Sequence, residues 1–253
     1  MSIYNTEEID LLRESGKRLA AVLSQVSGRV QPGVSTGELN VLGERLITEQ
    51  GDTPAFKGYQ PDGASYPFPA GVCISVNDEI VHGIPSDERV LQDGDIVGLD
   101  CGVNHKGLIT DSAVTIAVGE VDSNTKALMQ ATKEALAAGV AAAKDGARVG
   151  DVSAAIEQVA RKNGFVVVEE LGGHGVGHVV HEEPFIPNYG KAGTGPYLKE
   201  GQVIALEPIF TAGNRDIVLA KDGYTFKTQD GSKSAHFEHT VLVTKDGGHV
   251  LTQ

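Results

Sequence analysis

A chain of 253 residues with 40% apolar side chains and 32 glycines has the material for a buried aliphatic core crossed by many tight turns, which argues against disorder. Its net charge of -13 and pI near 5.0 would repel a phosphate backbone, and no basic run interleaved with aromatics offsets this, so nucleic acid is a poor candidate partner. Two cysteines cannot build a disulfide framework, no stretch approaches the roughly 20 apolar residues that span a bilayer, and the acidic, helix-periodic start is unlike an export signal; a cytoplasmic protein with no membrane association is expected.

In chain order, apolar periodicity predicts a first helix over roughly 6–29 that ends in a glycine-containing turn, then a second amphipathic helix beginning near Ser35. A strand-rich stretch follows, with Val81-His82-Gly83-Ile84-Pro85 inside it. Residues 96–118 alternate like two strands around the turn signal Asn104-His105-Lys106-Gly107. With that hairpin centred on His105 and Lys106, Asp100 and Asp111 are directly opposed, on the face away from Val97, Leu99, Cys101 and Val103. Opposed side chains sit roughly 5 Å apart, so two carboxylates there repel unless water or a cation intervenes.

Near residue 120 the pattern starts again, with a helix over roughly 125–143 and another beginning near Gly150. Residues 32–51 align with 145–164 without a gap, so that Gly33 meets Gly146, Gly37 meets Gly150, Glu38 meets Asp151 and Gly51 meets Gly164. The glycine-rich run Leu171–His178 offers His174 where the backbone can approach a crowded centre, and its glycines disfavour the helix that an HExxH zinc motif needs. Further on, residues 180–184 answer 81–85, and EGQVIALE (200–207) answers DGDIVGLD (93–100), setting Glu207 against Asp100. The run 236–245 likewise answers 109–118, setting Glu238 against Asp111.

Each half thus delivers one histidine and two carboxylates at equivalent places. The expected architecture is α+β: two pseudo-twofold halves, roughly 1–120 and 121–253, with helices backing a curved antiparallel sheet, together forming one domain over 1–253. Taken singly, each acid reads equally well as a solvated or salt-bridged residue. Gathered in one pocket, Asp100, Asp111, Glu207 and Glu238 would require cations or large upward pKa shifts, and two divalent ions would neutralise them. One imidazole with four carboxylates and no thiolate suits Co, Mn, Fe or Zn.

Five blocks in order, CISVNDEIVHGIP (73–85), DGDIVGLDCGVNHKGLITDSA (93–113), GGHGVGHVVHEEP (172–184), ALEP (205–208) and SAHFEHTVLVT (234–244), resemble the methionine aminopeptidases, whose fold is called pita-bread. The resemblance implies Asp100, Asp111, His174, Glu207 and Glu238 as ligands of two divalent ions, with Asp111 and Glu238 bridging them. It implies His82, His181 and Glu207 as catalytic residues. A metal-bridged hydroxide would attack the scissile carbonyl while Glu207 moves the proton to the leaving amine. His181 would bond the carbonyl oxygen and His82 the peptide nitrogen or backbone. The methionine side chain would lie against Cys73, Phe68 and Tyr224. The implied partners are N-terminal methionyl peptides and nascent chains, near the ribosome, with a monomer as the expected state.

The chain departs from the family pattern in a longer 58–73 segment, in Val180 where an aromatic is usual, in Tyr224 where Trp is common, and in His178 at an often basic position. The short interval between Glu207 and Glu238 leaves no room for the inserted helical subdomain of the type II class, and a helix starting by about residue 6 leaves none for an N-terminal extension, so a compact type I enzyme is expected. Two rivals stand beside it: a proline-specific pita-bread peptidase, and a pita-bread protein that binds peptides without cleaving them.

Overall fold

The structure, a computed structural model, describes residues 2–61 and 63–253. Helices α1 (Thr6–Ser27) and α2 (Thr36–Glu49) open the chain. Each starts on a capping box: Asn5 and Glu8 exchange side-chain-to-backbone hydrogen bonds, as do Ser35 and Glu38, which satisfies amide groups the first helical turn leaves unpaired. Strands β1 (Thr53–Pro54), β2 (Val72–Val76), β3 (Glu79–Val81), β4 (Ile96–His105) and β5 (Leu108–Ala117) complete the first half. The second half repeats the order with α3 (Ser123–Ala142), α4 (Val149–Asn163), β6 (Val166–Val167), β7 (Gly172–Gly175), β8 (Glu182–Pro187), β9 (Val203–Leu206) and β10 (Ile209–Thr211). It ends with β11 (Ile217–Leu219), β12 (Phe226–Thr228), β13 (Ser234–His236), β14 (His239–Val243) and β15 (Gly248–Val250).

The sheets mirror one another. Strand β4 lies between β2 and β5 in the first half, and β9 lies between β7 and β14 in the second. In each half one face is apolar and carries the helices: Leu19, Val22 and Leu39 pack on Val97, Leu99 and Cys101, while Leu128, Val152 and Ile156 pack on Ile204, Leu206 and Val241. The opposite faces meet at the centre, along the seam between β5 and β14. There Ala113 and Glu238 exchange both backbone hydrogen bonds, at 2.9 and 3.3 Å. On either side a threonine hydroxyl substitutes for a direct backbone bond. Thr240 Oγ1 accepts from Asp111 N at 2.8 Å and donates to Asp111 O at 2.7 Å, and Thr115 Oγ1 accepts from His236 N and donates to His236 O. The seam therefore splays slightly while every amide stays paired, and Asp111 and Glu238 flank it.

One expectation is corrected. The hairpin turns on Lys106 and Gly107, with φ of 52° and 89°, so β4 and β5 pair Asp100 with Ala113 and Asp111 with Gly102. Positive φ at both central residues is what a two-residue hairpin of right-twisted strands requires, and glycine supplies it readily while lysine is a rare choice. Asn104, part of the expected turn, instead lies within β4, paired with Ile109, and its side-chain oxygen accepts from Gly107 N at 2.9 Å. The shift is by two residues, not one, so Asp100 and Asp111 stay on the same face as diagonal neighbours.

Candidate metal centre

Asp100 projects from the middle of β4 and Asp111 from β5; Glu207 follows β9 directly, Glu238 precedes β14, and His174 belongs to β7. All five line one cavity, together with His82 and His181. Asp111, Glu238 and His174 are 3%, 2% and 7% exposed, a depth at which unpaired carboxylates are rare. Ligand atoms of these three lie within 4.8 Å of one another. His174 Nδ1 is 2.9 Å from the carbonyl oxygen of Gly175, which can only accept, so Nδ1 donates there and Nε2 is the nitrogen turned toward the acids, 3.5 Å from Glu207 Oε1.

The unsatisfied atoms test whether cations fit. Among the described residues, Asp100 Oδ1, Asp111 Oδ1 and Glu238 Oε1 are buried with no hydrogen-bond partner. Such orphans are few in folded proteins, and here three carboxylate oxygens converge with an imidazole nitrogen. Oxygen and imidazole donors without thiolate suit hard or borderline divalent ions. The electrostatics agree: burial, with repulsion from Glu207 added, pushes the Asp100 carboxyl up to about 7 against a facing His236. Burial and then neighbouring carboxylates push Asp111 and Glu238 far above the usual range. Glu207 goes the other way. Burial would raise it, but His236, His174 and His181 together hold it below the ordinary value.

His82 sits at φ 58° just after β3, a left-handed backbone that a residue with a Cβ adopts at a cost of order 1–3 kcal/mol. Strain of this kind clusters at functional sites, and His82 presents its ring to the cavity edge-on to Phe226. His181 stands at the mouth, one side in solvent and the other against His174, with ring centroids 4.5 Å apart. Burial, then the neighbouring His174, lowers His181 to about 4; burial also takes His82 to about 4, so both rings are neutral at physiological pH.

Cys73, Phe68 and Tyr224 line the apolar end of the cavity with Phe56 and Val180. Burial raises the Cys73 thiol far above its ordinary pKa, which keeps it protonated and an apolar surface. Phe68 meets Tyr224 edge to face at 5.2 Å, and the Tyr224 hydroxyl donates to Tyr66 O. The long 58–73 segment folds back on itself, with Gly58 N bonded to Phe68 O and Phe68 N to Tyr59 O. That brings Tyr59 against His181, its hydroxyl 2.8 Å from Nδ1.

Two residues of the site escaped the sequence reading. Tyr59 was hidden in the long segment, which carries no periodic pattern. His236 Nε2 lies 3.5 Å from Glu207 Oε2 and 3.9 Å from Glu238 Oε2, and it is another buried atom without a hydrogen bond among the described residues. The available signal was strand alternation, since two residues before Glu238 is the same face, but its repeat mate Ile109 is apolar and drew no attention.

Acids from two pseudo-symmetric halves meeting over a histidine at a shared seam define a metallopeptidase of the pita-bread class. The pattern of metallopeptidase family M24 matches residues 10–245. The chain is 43% identical to the methionine aminopeptidase of Aquifex aeolicus, covering 100% of this chain and 99% of the relative. The solved methionine aminopeptidase of Thermotoga maritima superposes with a TM-score of 0.96 at 40% identity, over 100% of this chain and 99% of that one. That of Rickettsia prowazekii does so with a TM-score of 0.95 at 39% identity, over 100% of both chains. The chain belongs to metallopeptidase family M24, on its methionine aminopeptidase branch.

Proposed function

We propose that the chain removes N-terminal methionine from peptides and nascent proteins, acting as one catalytic domain over residues 1–253. Asp100, Asp111, His174, Glu207 and Glu238 would hold two divalent ions. The observation that carries this reading is the set of unpartnered carboxylate oxygens from both halves on one cavity beside His174. When bound, the ions supply Lewis-acid activation of water and carbonyl at neutral pH.

The chain's own groups divide the remaining work. Glu207, kept ionised by the histidines around it, accepts the proton of the attacking water and returns it to the leaving amine. His181 at the mouth donates to the carbonyl oxygen as negative charge develops, and neutral His82 contacts the peptide nitrogen or backbone. Cys73, Phe68 and Tyr224 receive the thioether, and the closed apolar end admits one side chain before the α-amino group reaches the acids. Val180 and Tyr59 shape the same wall, with the Tyr59 hydroxyl resting on His181. A cytoplasmic monomer working close to the ribosome fits this role; among the described residues no helix is long and apolar enough to cross a membrane.

The test is metal content measured together with turnover of Met-Ala-Ser and of Xaa-Pro peptides. The expected result is about two equivalents of metal and methionine release that chelation abolishes and Mn or Co restores. Preference for the proline substrates would make it a proline-specific peptidase, and peptide binding by a metal-free, inactive protein would make it a binding module.

A further inference from the structure

His181 is carried on a short turn between β7 and β8, and a turn of this kind does not hold a ring in place by itself. The residue after it, Glu182, turns its side chain back over that turn. Its carboxylate accepts from His178 N at 2.8 Å, Val179 N at 3.3 Å, Tyr4 Oη at 3.2 Å and Ser2 Oγ at 3.0 Å. Burial would raise the Glu182 carboxyl, yet these donors, led by His178 N, hold it below its ordinary value, so it is an anion fully engaged in bonding.

Tyr4 closes the arrangement from the far end of the sequence. Its backbone N donates to Gly201 O at 2.9 Å and its hydroxyl also reaches Val176 O at 3.1 Å. The ring is 4% exposed and packs with Val176 and Val180, the residue before His181. Gly177 has φ 149°, and a Cβ there would collide with the Tyr4 hydroxyl, so the fit of Tyr4 to the turn depends on a glycine. Outside, His178 stacks on Tyr4 with ring centroids 5.0 Å apart and reaches Glu8 of α1 at 3.3 Å. Tyr4 and His178 do not line the cavity with the acids, Glu182 borders only its outer part beside His181 and Glu207, and the proposed chemistry assigns none of the three a role.

We propose that Glu182, clasped by Tyr4, is a positioning residue that fixes His181 for the reaction, so that the segment ahead of α1 sets the rate constant without touching substrate or metal. This inference rests on the aminopeptidase reading and on the role given there to His181. A displacement of about 1 Å at such a group costs up to about 10²-fold in rate, so modest loosening has a measurable effect.

The experiment is a double-mutant cycle on the metal-loaded full chain, with Met-Ala-Ser as substrate. Glu182→Gln is expected to lower kcat about tenfold and Tyr4→Phe about threefold, with KM and Mn²⁺ affinity within about twofold of the parent. In a His181→Ala background neither substitution lowers the residual rate further, because both act through that ring. Amide exchange at His178 and Val179 accelerates in Glu182→Gln. Equal losses in both backgrounds, a parallel fall in metal affinity, unchanged amide exchange, or a His181→Ala variant as active as the parent would each overturn the clasp. Tyr4→Phe keeps the buried ring, so the cycle still reads if Glu182→Gln folds poorly. A parent that does not cleave Met-Ala-Ser sinks the aminopeptidase reading itself, whereas a parent that cleaves it with additive effects sinks only the clasp.

Discussion

Asp100 and Glu207 occupy equivalent places in the internal repeat, at the centre of one half's sheet and of the other's, and they titrate in opposite directions. Asp100, buried in apolar strand and near Glu207, is pushed up to about 7 even though His236 and a hydrogen bond with Asp111 oppose the shift. Glu207 has His236 and His174 each 3.5 Å from a carboxylate oxygen, and it stays low. A repeated backbone therefore fixes where carboxylates stand, while the side chains around each slot decide whether it awaits a cation or is ready to move a proton. Asp100, like Asp111 and Glu238, needs a cation; Glu207 is already charged.

Removing an acid of the first kind has the largest expected effect. Asp111→Ala takes away a shared ligand, and we expect a loss of about 10⁴-fold in kcat/KM, several kcal/mol of lost transition-state stabilisation. The same variant should raise the melting temperature of the metal-free protein, because it removes a buried carboxyl whose Oδ1 has no hydrogen-bond partner, at a cost of about 1–3 kcal/mol, and lower that of the loaded one. Calorimetry with and without metal checks both signs, and destabilisation in the metal-free state would show that Asp111 has a structural partner instead.

Glu207→Gln comes next. It keeps shape and one coordinating oxygen but cannot carry the proton, so kcat should fall about 10³-fold while metal still binds. Single-turnover rates beside metal titration separate the two; a variant that loses metal in proportion to rate would place Glu207 among the purely ligating acids.

The asymmetry also predicts a pH dependence. Metal requires the carboxylates of Asp100, Asp111 and Glu238, all of them raised by burial, so affinity should weaken by at least about tenfold for each pH unit below 7, with protons released on binding. For metal-free protein the sign is as follows. The folded pKa of Asp100 is raised from 3.8 to about 7, so the stability it contributes is full below about 4 and is lost as the pH rises toward 7. Isothermal titration across pH 5–8 and melting curves over the same range test both; a flat affinity profile would contradict the assignment. The smallest effect belongs to the methionine pocket. Phe68→Ala should raise KM about tenfold with kcat nearly kept, as expected for loss of uniform binding by an apolar wall.

Much of this was legible in the sequence because duplication and alternation are strict. Helix starts at Asn5 and Ser35 are written in capping residues, and the match of acid to acid between halves singles out Asp100, Asp111, Glu207 and Glu238 from sequence. The register of β4 on β5 was not legible, because Lys106 takes a left-handed conformation that residue type does not announce. The two-residue period kept the error harmless for which face the acids share. His236 and Tyr59 escaped for a different reason: their importance lies in contacts with Glu238, Glu207 and His181 that only the closed tertiary structure creates. The clasp on Glu182 is of the same kind, joining positions 4 and 182.

The most direct measurement is anomalous diffraction from crystals of the Mn²⁺-loaded protein. The account predicts two peaks in the cavity, each touching acids from both halves, with Asp111 and Glu238 common to both. A cavity without metal, or ions held by acids of one half alone, would contradict it.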